Sequence, residues 1–232
     1  MVDVSAPSVK GRYCVLIPAF EADRQIGQLV RQTRQAGFPV VVVDDGSRDR
    51  TAAIASHEGA LVISHLRNQG KGSALRTGFD YALREGYEGV VTMDGDGQHD
   101  PADIHQLVRT GELQHAGIVL GNRLANGAMM PHIRRWTNQL MSGMVSTVAR
   151  QRIPDSQCGF RFIRKEVLQN VPLTSKRFEI ETELIIGAAK RRWKIVSVPV
   201  RSIYDTHHRS HIHPLRETVR FFGVILRHFI AP

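Results

Sequence analysis

The 232-residue chain can bury one sizeable core, and its 42% hydrophobic and 23% charged residues exclude a disordered or fibrous chain. Two cysteines exclude a disulfide framework and a cysteine-built zinc site and point to a reducing cytosol, and no stretch approaches the roughly 18–20 apolar residues of a membrane-spanning helix. The net charge of +9 asks for an anionic partner: nucleic acid, an acidic membrane surface or phosphorylated substrates.

Residues 1–11 read as a loose arm without a signal-peptide pattern. Tyr13 to Ile17 is a buried strand closed by Pro18, with Cys14 as a small hydrophobe inside it. From Ala22 to Gln35, Ile26, Leu29, Val30 and Thr33 share one helical face, and Gly37 ends the helix. Val40 to Val43 is a second strand, followed by the loop Asp44-Asp45-Gly46-Ser47. A short helix over Thr51–His57 and a strand over Leu61–Ile63 lead to the glycine-rich loop Asn68-Gln69-Gly70-Lys71-Gly72 and a helix over Ser73–Arg84. A fourth strand, Gly89 to Met93, runs into Asp94-Gly95-Asp96-Gly97-Gln98-His99-Asp100-Pro101, where Asp100 caps and Pro101 opens a helix that continues through Leu107. Ile118 to Leu120 is a fifth strand.

Strands alternating with helices through short loops predict an α/β fold with a mainly parallel sheet, in which ligands bind outside the carboxyl ends of the strands. Pro18 to Glu21, Asp44 to Ser47 and Asp94 to Gln98 all lie at such ends, so the topology predicts that they converge. Asp94 and Asp96 are one residue apart in extended chain and point the same way, a hard-oxygen pair suited to Mg²⁺ or Mn²⁺. After Arg123 the alternation stops. A helix from Trp136 to Arg150 carries an apolar stripe of Trp136, Leu140, Met144 and Val148. A loop from Asp155 enters a short strand at Arg161, a helix runs from Glu179 to Lys190, and a strand from Ile195 to Tyr204 is marked as an edge or bulge by Pro199. His207 to His213 is histidine-rich without a clean ligand spacing, and Leu215 to Ile230 is an amphipathic basic helix that can lie on a membrane surface or close the sheet.

The ordered set Ile17-Pro18-Ala19-Phe20-Glu21, Val43-Asp44-Asp45-Gly46-Ser47, Asn68-x-Gly70-Lys71-Gly72, Asp94-x-Asp96-x-Gln98-His99, Gly121-Asn122-Arg123 and Asp155-Ser156-x-x-Gly159-Phe160-Arg161 resembles family 2 glycosyltransferases of the GT-A fold. The likeness spans roughly residues 12 to 225 and is strongest to the catalytic domains of dolichol-phosphate mannosyltransferases and bacterial polyprenyl-phosphate glycosyltransferases.

The resemblance implies a GT-A, Rossmann-like single domain over residues 12–213, with 214–232 as a C-terminal amphipathic helix. It implies a metal-dependent inverting transferase taking a sugar from GDP-mannose or a UDP-sugar to a polyprenyl or dolichyl phosphate, peripheral at the cytoplasmic membrane face or held there by a partner subunit. Pro18, Ala19, Glu21, Asp44, Asp45, Lys71 and Asp94 would hold the donor, and Gln98 would join Asp94 and Asp96 around Mg²⁺ or Mn²⁺. Asp96, Arg123 and Glu181 would carry the chemistry. Arg123, Arg134, Arg135, Arg161, Ser210 and His211 would meet the acceptor phosphate, with His211 standing where the family's loop carries a lysine. A hydroxyl acceptor would need a general base, for which Glu181 is placed; a phosphate acceptor needs none. A nucleic-acid-binding protein, suggested by charge alone, lacks interleaved aromatics and any recognisable module. A non-catalytic partner subunit is at odds with the retained Asp94, Asp96 and Arg123.

Overall fold

The structure, a computed structural model, describes residues 11–125, 132–203 and 220–226, with the side chains at 132 and 134 left out. Its strands are β1 (Tyr13–Ala19), β2 (Val40–Asp44), β3 (Leu61–Ser64), β4 (Gly89–Thr92), β5 (Ile118–Asn122), β6 (Arg161–Arg164) and β7 (Ile195–Pro199). The helices are α1 (Ile26–Gln35), α2 (Thr51–His57), α3 (Lys71–Arg84), α4 (Ile104–Leu113), α5 (His132–Ala149), α6 (Lys165–Asn170) and α7 (Ile180–Lys190). A 3₁₀ turn over Pro101–Asp103 precedes α4, and Asp100 caps it by accepting from the Ala102 N–H at 2.9 Å.

One seven-stranded sheet has the order β3-β2-β1-β4-β6-β5-β7. Its first four strands are parallel, β6 runs antiparallel to both β4 and β5, and β7 is parallel to β5. Alternate residues of β1 divide the core. Tyr13, Val15 and Ile17 face Ile26, Leu29 and Val30 of α1 and Leu107 of α4, whereas Cys14 and Leu16 face Leu75 and Phe79 of α3 and Ile185 of α7. Both faces are covered by helices, so the central strands read as unbroken apolar runs rather than alternating ones.

Several elements differ from the sequence expectation. Strand β1 passes through Pro18, because its pairing with β4 ends at Leu16 and a missing N–H then costs no ladder bond on that side. Strand β7 stops at Pro199 on the sheet edge, and the chain crosses to the Asp94 loop, where the Ile203 N–H donates to the Gln98 carbonyl at 3.0 Å.

Helix α5 starts before Trp136, and only the second half of its predicted stripe turns inward: Met144 and Val148 pack partly buried against the core. Val145 and Ala149 enter the core beside buried Asn138 and Ser142, while Ile133, Trp136 and Leu140 stand exposed. Periodicity assigned the apolar residues inward, but Asn138 and Ser142 gain hydrogen bonds to Asp155 and Ser156, which set the rotation of the helix. Residues 220–226 are helical, with Phe221 and Val224 in the core and Phe222 and Leu226 exposed. The arm before Gly11, the histidine-rich run and most of the C-terminal helix lie outside the described residues.

Candidate functional site

The strand order reverses between β1 and β4, so a crevice opens at their carboxyl ends. Ala19 stands opposite Asp44 in the register, and the Asp45 N–H donates to the Ala19 carbonyl at 2.8 Å. Glu21 is exposed with a positive φ of 51°, and its N–H donates to Ser47 Oγ at 2.9 Å, tying the two strand-end loops together. Pro18, half-buried, and Ala19, buried, end β1 against Gly95 of the Asp94 loop, and Asp44 accepts from the Ser47 N–H at 3.2 Å.

Asp45 is engaged by the protein itself. Its carboxylate accepts from the N–H groups of Gln69 at 2.9 Å and Gly70 at 2.7 Å, and His65 Nδ1 lies 2.7 Å away. His65 Nε2 is in turn 3.0 Å from Thr77 Oγ1 on α3. The carboxylate predicted to read the nucleotide thus shapes the glycine-rich loop. His65 went unremarked in the sequence, although its place directly after β3, beside the end of β2, was a usable signal.

Asp94 follows β4, and Lys71 comes to it from the start of α3. Lys71 Nζ is 2.6 Å from Asp94 Oδ1 and 3.0 Å from Glu181 Oε1, and sits 5.4 Å from the Phe178 ring centroid. Burial alone would raise the Asp94 carboxyl, but the Lys71 ammonium and then His99 outweigh it and hold it well below the usual carboxylate range. Burial also acts against the Lys71 charge, and Asp94 and Glu181 outweigh it, so the ammonium is held above its ordinary value. Asp96 is pushed up by burial and by the negative charge of Asp94. His99 stacks on Phe160 and turns Nε2 toward Asp94 at 3.9 Å, and Gly159 lies so close to the Asp94 carboxylate that a methyl there would collide with it.

The Asp94 charge raises the proton affinity of Asp96 beside it, and two half-buried carboxylates this close form a site that favours a cation. Asp96 also fixes the loop by accepting from the Gln98 N–H at 3.0 Å. Among the described residues no cluster of three or more His, Cys, Asp or Glu could hold a metal by itself. Asp94, Asp96 and the Gln98 amide are hard-oxygen donors of the kind that would suit Mg²⁺ or Mn²⁺.

Arg123 follows β5, and Asp155 holds it as a two-point clamp through Nε at 2.9 Å and Nη2 at 3.0 Å. Asn138 donates to the same carboxylate at 3.0 Å. Arg161 is placed differently from its expected role at an acceptor phosphate. It is fully buried, and its nitrogens donate to the carbonyls of Cys158, Ser156 and Glu181 at 2.7–2.8 Å, so it braces the loop from Ser156 to Gly159. Glu183, two residues beyond Glu181, is buried and accepts from the N–H groups of Thr174 and Ser175. Arg135 is exposed on α5; the Arg134 side chain, Ser210 and His211 lie outside the described residues.

Residues 14–171 match the family model described as Glycosyl transferase family 2. The chain is 29% identical over 216 residues to the UDP-N-acetylglucosamine–dolichyl-phosphate N-acetylglucosaminyltransferase of Methanococcus voltae, covering 83% of this chain and 86% of that one. It is 29% identical over 204 residues to the polyprenol monophosphomannose synthase of Mycolicibacterium smegmatis, covering 82% and 76%. Among solved structures, glucosyl-3-phosphoglycerate synthase of Mycobacterium tuberculosis in complex with Mn²⁺, UDP-glucose and phosphoglyceric acid superposes with a TM-score of 0.72 at 19% identity, over 95% of this chain and 80% of that one. The fold is thus the GT-A fold that the motif order implied.

Proposed function

Because this chain belongs to glycosyl transferase family 2, we propose that it moves a sugar from a nucleotide-sugar donor, GDP-mannose or a UDP-sugar, to a polyprenyl phosphate at a membrane surface. The single observation that carries the reading is the pair Asp94 and Asp96 at the end of β4, in the crevice where the strand order reverses, with Arg123 clamped on Asp155 at the end of β5. The polyprenyl and dolichyl phosphates named for the relatives support the acceptor class.

Asp44 and the turn Pro18 to Glu21 hold the nucleoside end of the donor. Asp94, Asp96 and Gln98 would hold a divalent cation, which would neutralise charge building on the leaving diphosphate. Arg123, pre-oriented by Asp155, offers the acceptor phosphate a guanidinium whose geometry is fixed before binding. A phosphate oxygen attacks the anomeric carbon from the face opposite the leaving group. One C–O bond forms as the other breaks, the nucleoside diphosphate departs with the electron pair, and the configuration inverts. No proton has to be removed from that nucleophile.

The assay is transfer of labelled sugar from GDP-mannose or UDP-sugars into organic-extractable polyprenyl phosphate with Mn²⁺ or Mg²⁺. Asp96→Asn should abolish transfer without lowering the melting temperature. Full activity in Asp96→Asn, or in excess EDTA, would remove the metal from the mechanism.

A hydroxyl acceptor is the second reading, and the half-buried Glu181 favours it as a base. Glu181→Gln should cost far less than about 10²–10⁴-fold if the acceptor is a phosphate, and a loss within that range if it is a hydroxyl.

A further inference from the structure

We propose that Lys71 is an exchangeable counter-ion that occupies Asp94 until metal and donor diphosphate arrive together, and so makes the binding of each depend on the other. The inference rests on the reading of Asp94 as a metal ligand.

Asp94 Oδ1 is 2.6 Å from an ammonium, and a divalent cation ligated by that oxygen would stand against this charge. The two cations repel one another across a single carboxylate, so entry of the metal drives Lys71 away from it. Its backbone cannot withdraw with it. Gly70, at φ +97°, has its N–H on Asp45, and the Ser73 N–H donates to the Lys176 carbonyl at 3.1 Å. A Cβ on Gly72 would lie 2.6–2.8 Å from the backbone of Ser175, Lys176 and Arg177, so the turn is flush against that segment. Glu183 fixes the same segment through Thr174 and Ser175.

The movement is therefore a swing of the four-carbon stem, and it has two anionic destinations. Glu181 is already 3.0 Å away, but it gains little from an ammonium it already shares. The diphosphate of the donor brings new negative charge into the crevice and receives the ammonium fully. Metal alone enters against Lys71, whereas metal with a nucleoside diphosphate enters as Lys71 changes partner. Coupling of this kind is reciprocal and is commonly about 5–150-fold.

The test is Mn²⁺ binding followed by the electron paramagnetic resonance signal of free Mn²⁺, with and without UDP or GDP, on the wild type, Lys71→Met, Lys71→Gln and Glu181→Gln. Nucleoside diphosphate should tighten Mn²⁺ on the wild type by about tenfold or more. In Lys71→Met, Mn²⁺ alone should bind about tenfold tighter, and the gain on adding nucleotide should shrink by about the same factor. Lys71→Gln, which keeps hydrogen-bonding groups in the pocket, gives the same reading if Lys71→Met does not fold. Glu181→Gln should shift the balance the other way, with weaker Mn²⁺ binding alone and a larger gain with nucleotide.

An unchanged nucleotide gain in the lysine variants overturns the counter-ion role while leaving the metal site standing, since a fixed lysine would weaken Mn²⁺ with and without nucleotide by the same factor. Absence of Mn²⁺ binding in every state of the wild type overturns the metal reading and this inference with it.

Discussion

Asp155 is fully buried and satisfies Arg123 and Asn138 at once, so its loss leaves a largely buried guanidinium and a buried amide without their partner. Asp155→Ala should destabilise by about 3–5 kcal/mol, measured from the urea midpoint, because removing one partner leaves the other charge uncompensated. The Asp94–Lys71 pair has a pH signature with two edges. A carboxyl depressed in the folded state contributes stability above its unfolded value of about 3.9 and loses it as pH falls toward the folded value. An ammonium raised in the folded state contributes below about 10.4 and loses it as pH rises beyond. The stability gap between wild type and Lys71→Met should thus be level from about pH 5 to 10 and narrow below about pH 4. A gap that stays constant down to pH 2 would show that the pair is not ionised as described. Cys14 and Cys158 are both buried with thiols pushed up to about 12. At pH 8 neither should react with a thiol reagent until the protein unfolds, which a labelling time course in urea would show.

At the scale of elements, the start of α3 and the segment before α7 act as one part. Gly72→Ala pushes a methyl into backbone, which has no rotamer to yield, so α3 must lift from residues 175–177. We expect a loss of about 1–3 kcal/mol and a fall in transfer, because Lys71 moves with the helix. Gly143→Ala on α5 is the control: it is exposed, nothing lies within 4 Å, and it should gain about 0.5–1 kcal/mol.

The first half of the chain was legible because strand and helix periods alternate there and each ligand-like loop follows a strand. Asp44, Asp94 and Asp96 could be placed from that pattern alone. Lys71 could be named but not paired, since its partner Glu181 lies 110 positions away. On α5 the inward Met144 and Val148 were legible but the outward turn of Trp136 and Leu140 was not, because buried hydrogen bonds of Asn138 and Ser142 decide the rotation there. The buried course of Arg161 depends on three carbonyls that no local pattern announces.

For the molecule as a whole, no helix among the described residues is long and apolar enough to cross a membrane. Ile133, Trp136 and Leu140 form an open apolar row on α5, on the helix that carries Asn138 to the Arg123 clamp, and Phe222 and Leu226 are exposed on the helical stretch 220–226. With an excess of basic residues these surfaces suit the anionic bilayer that the proposed polyprenyl-phosphate acceptor would require. Anionic vesicles at low salt should sediment the protein, and lipids brominated on their upper acyl carbons should quench its fluorescence, with most of the quenching lost in Trp136→Phe. Protein that stays in the supernatant would require a partner subunit or a soluble acceptor.

The place of β6 also dictates the order in which the sheet can be assembled. Strand β5 leaves the ribosome before β6, yet its neighbours in the finished sheet are only β6 and β7, both still unmade at that moment. The parallel set β3-β2-β1-β4 has all its strands by Thr92, so it can close early, while β5 remains an orphan and β4 keeps an open edge. Unpaired strand edges invite wrong partners during synthesis. The half of the crevice that carries Asp44 and Asp94 is therefore built first and the Arg123 side last, and pulse-labelled hydrogen exchange during refolding should protect the amides of β1 and β2 before those of β5.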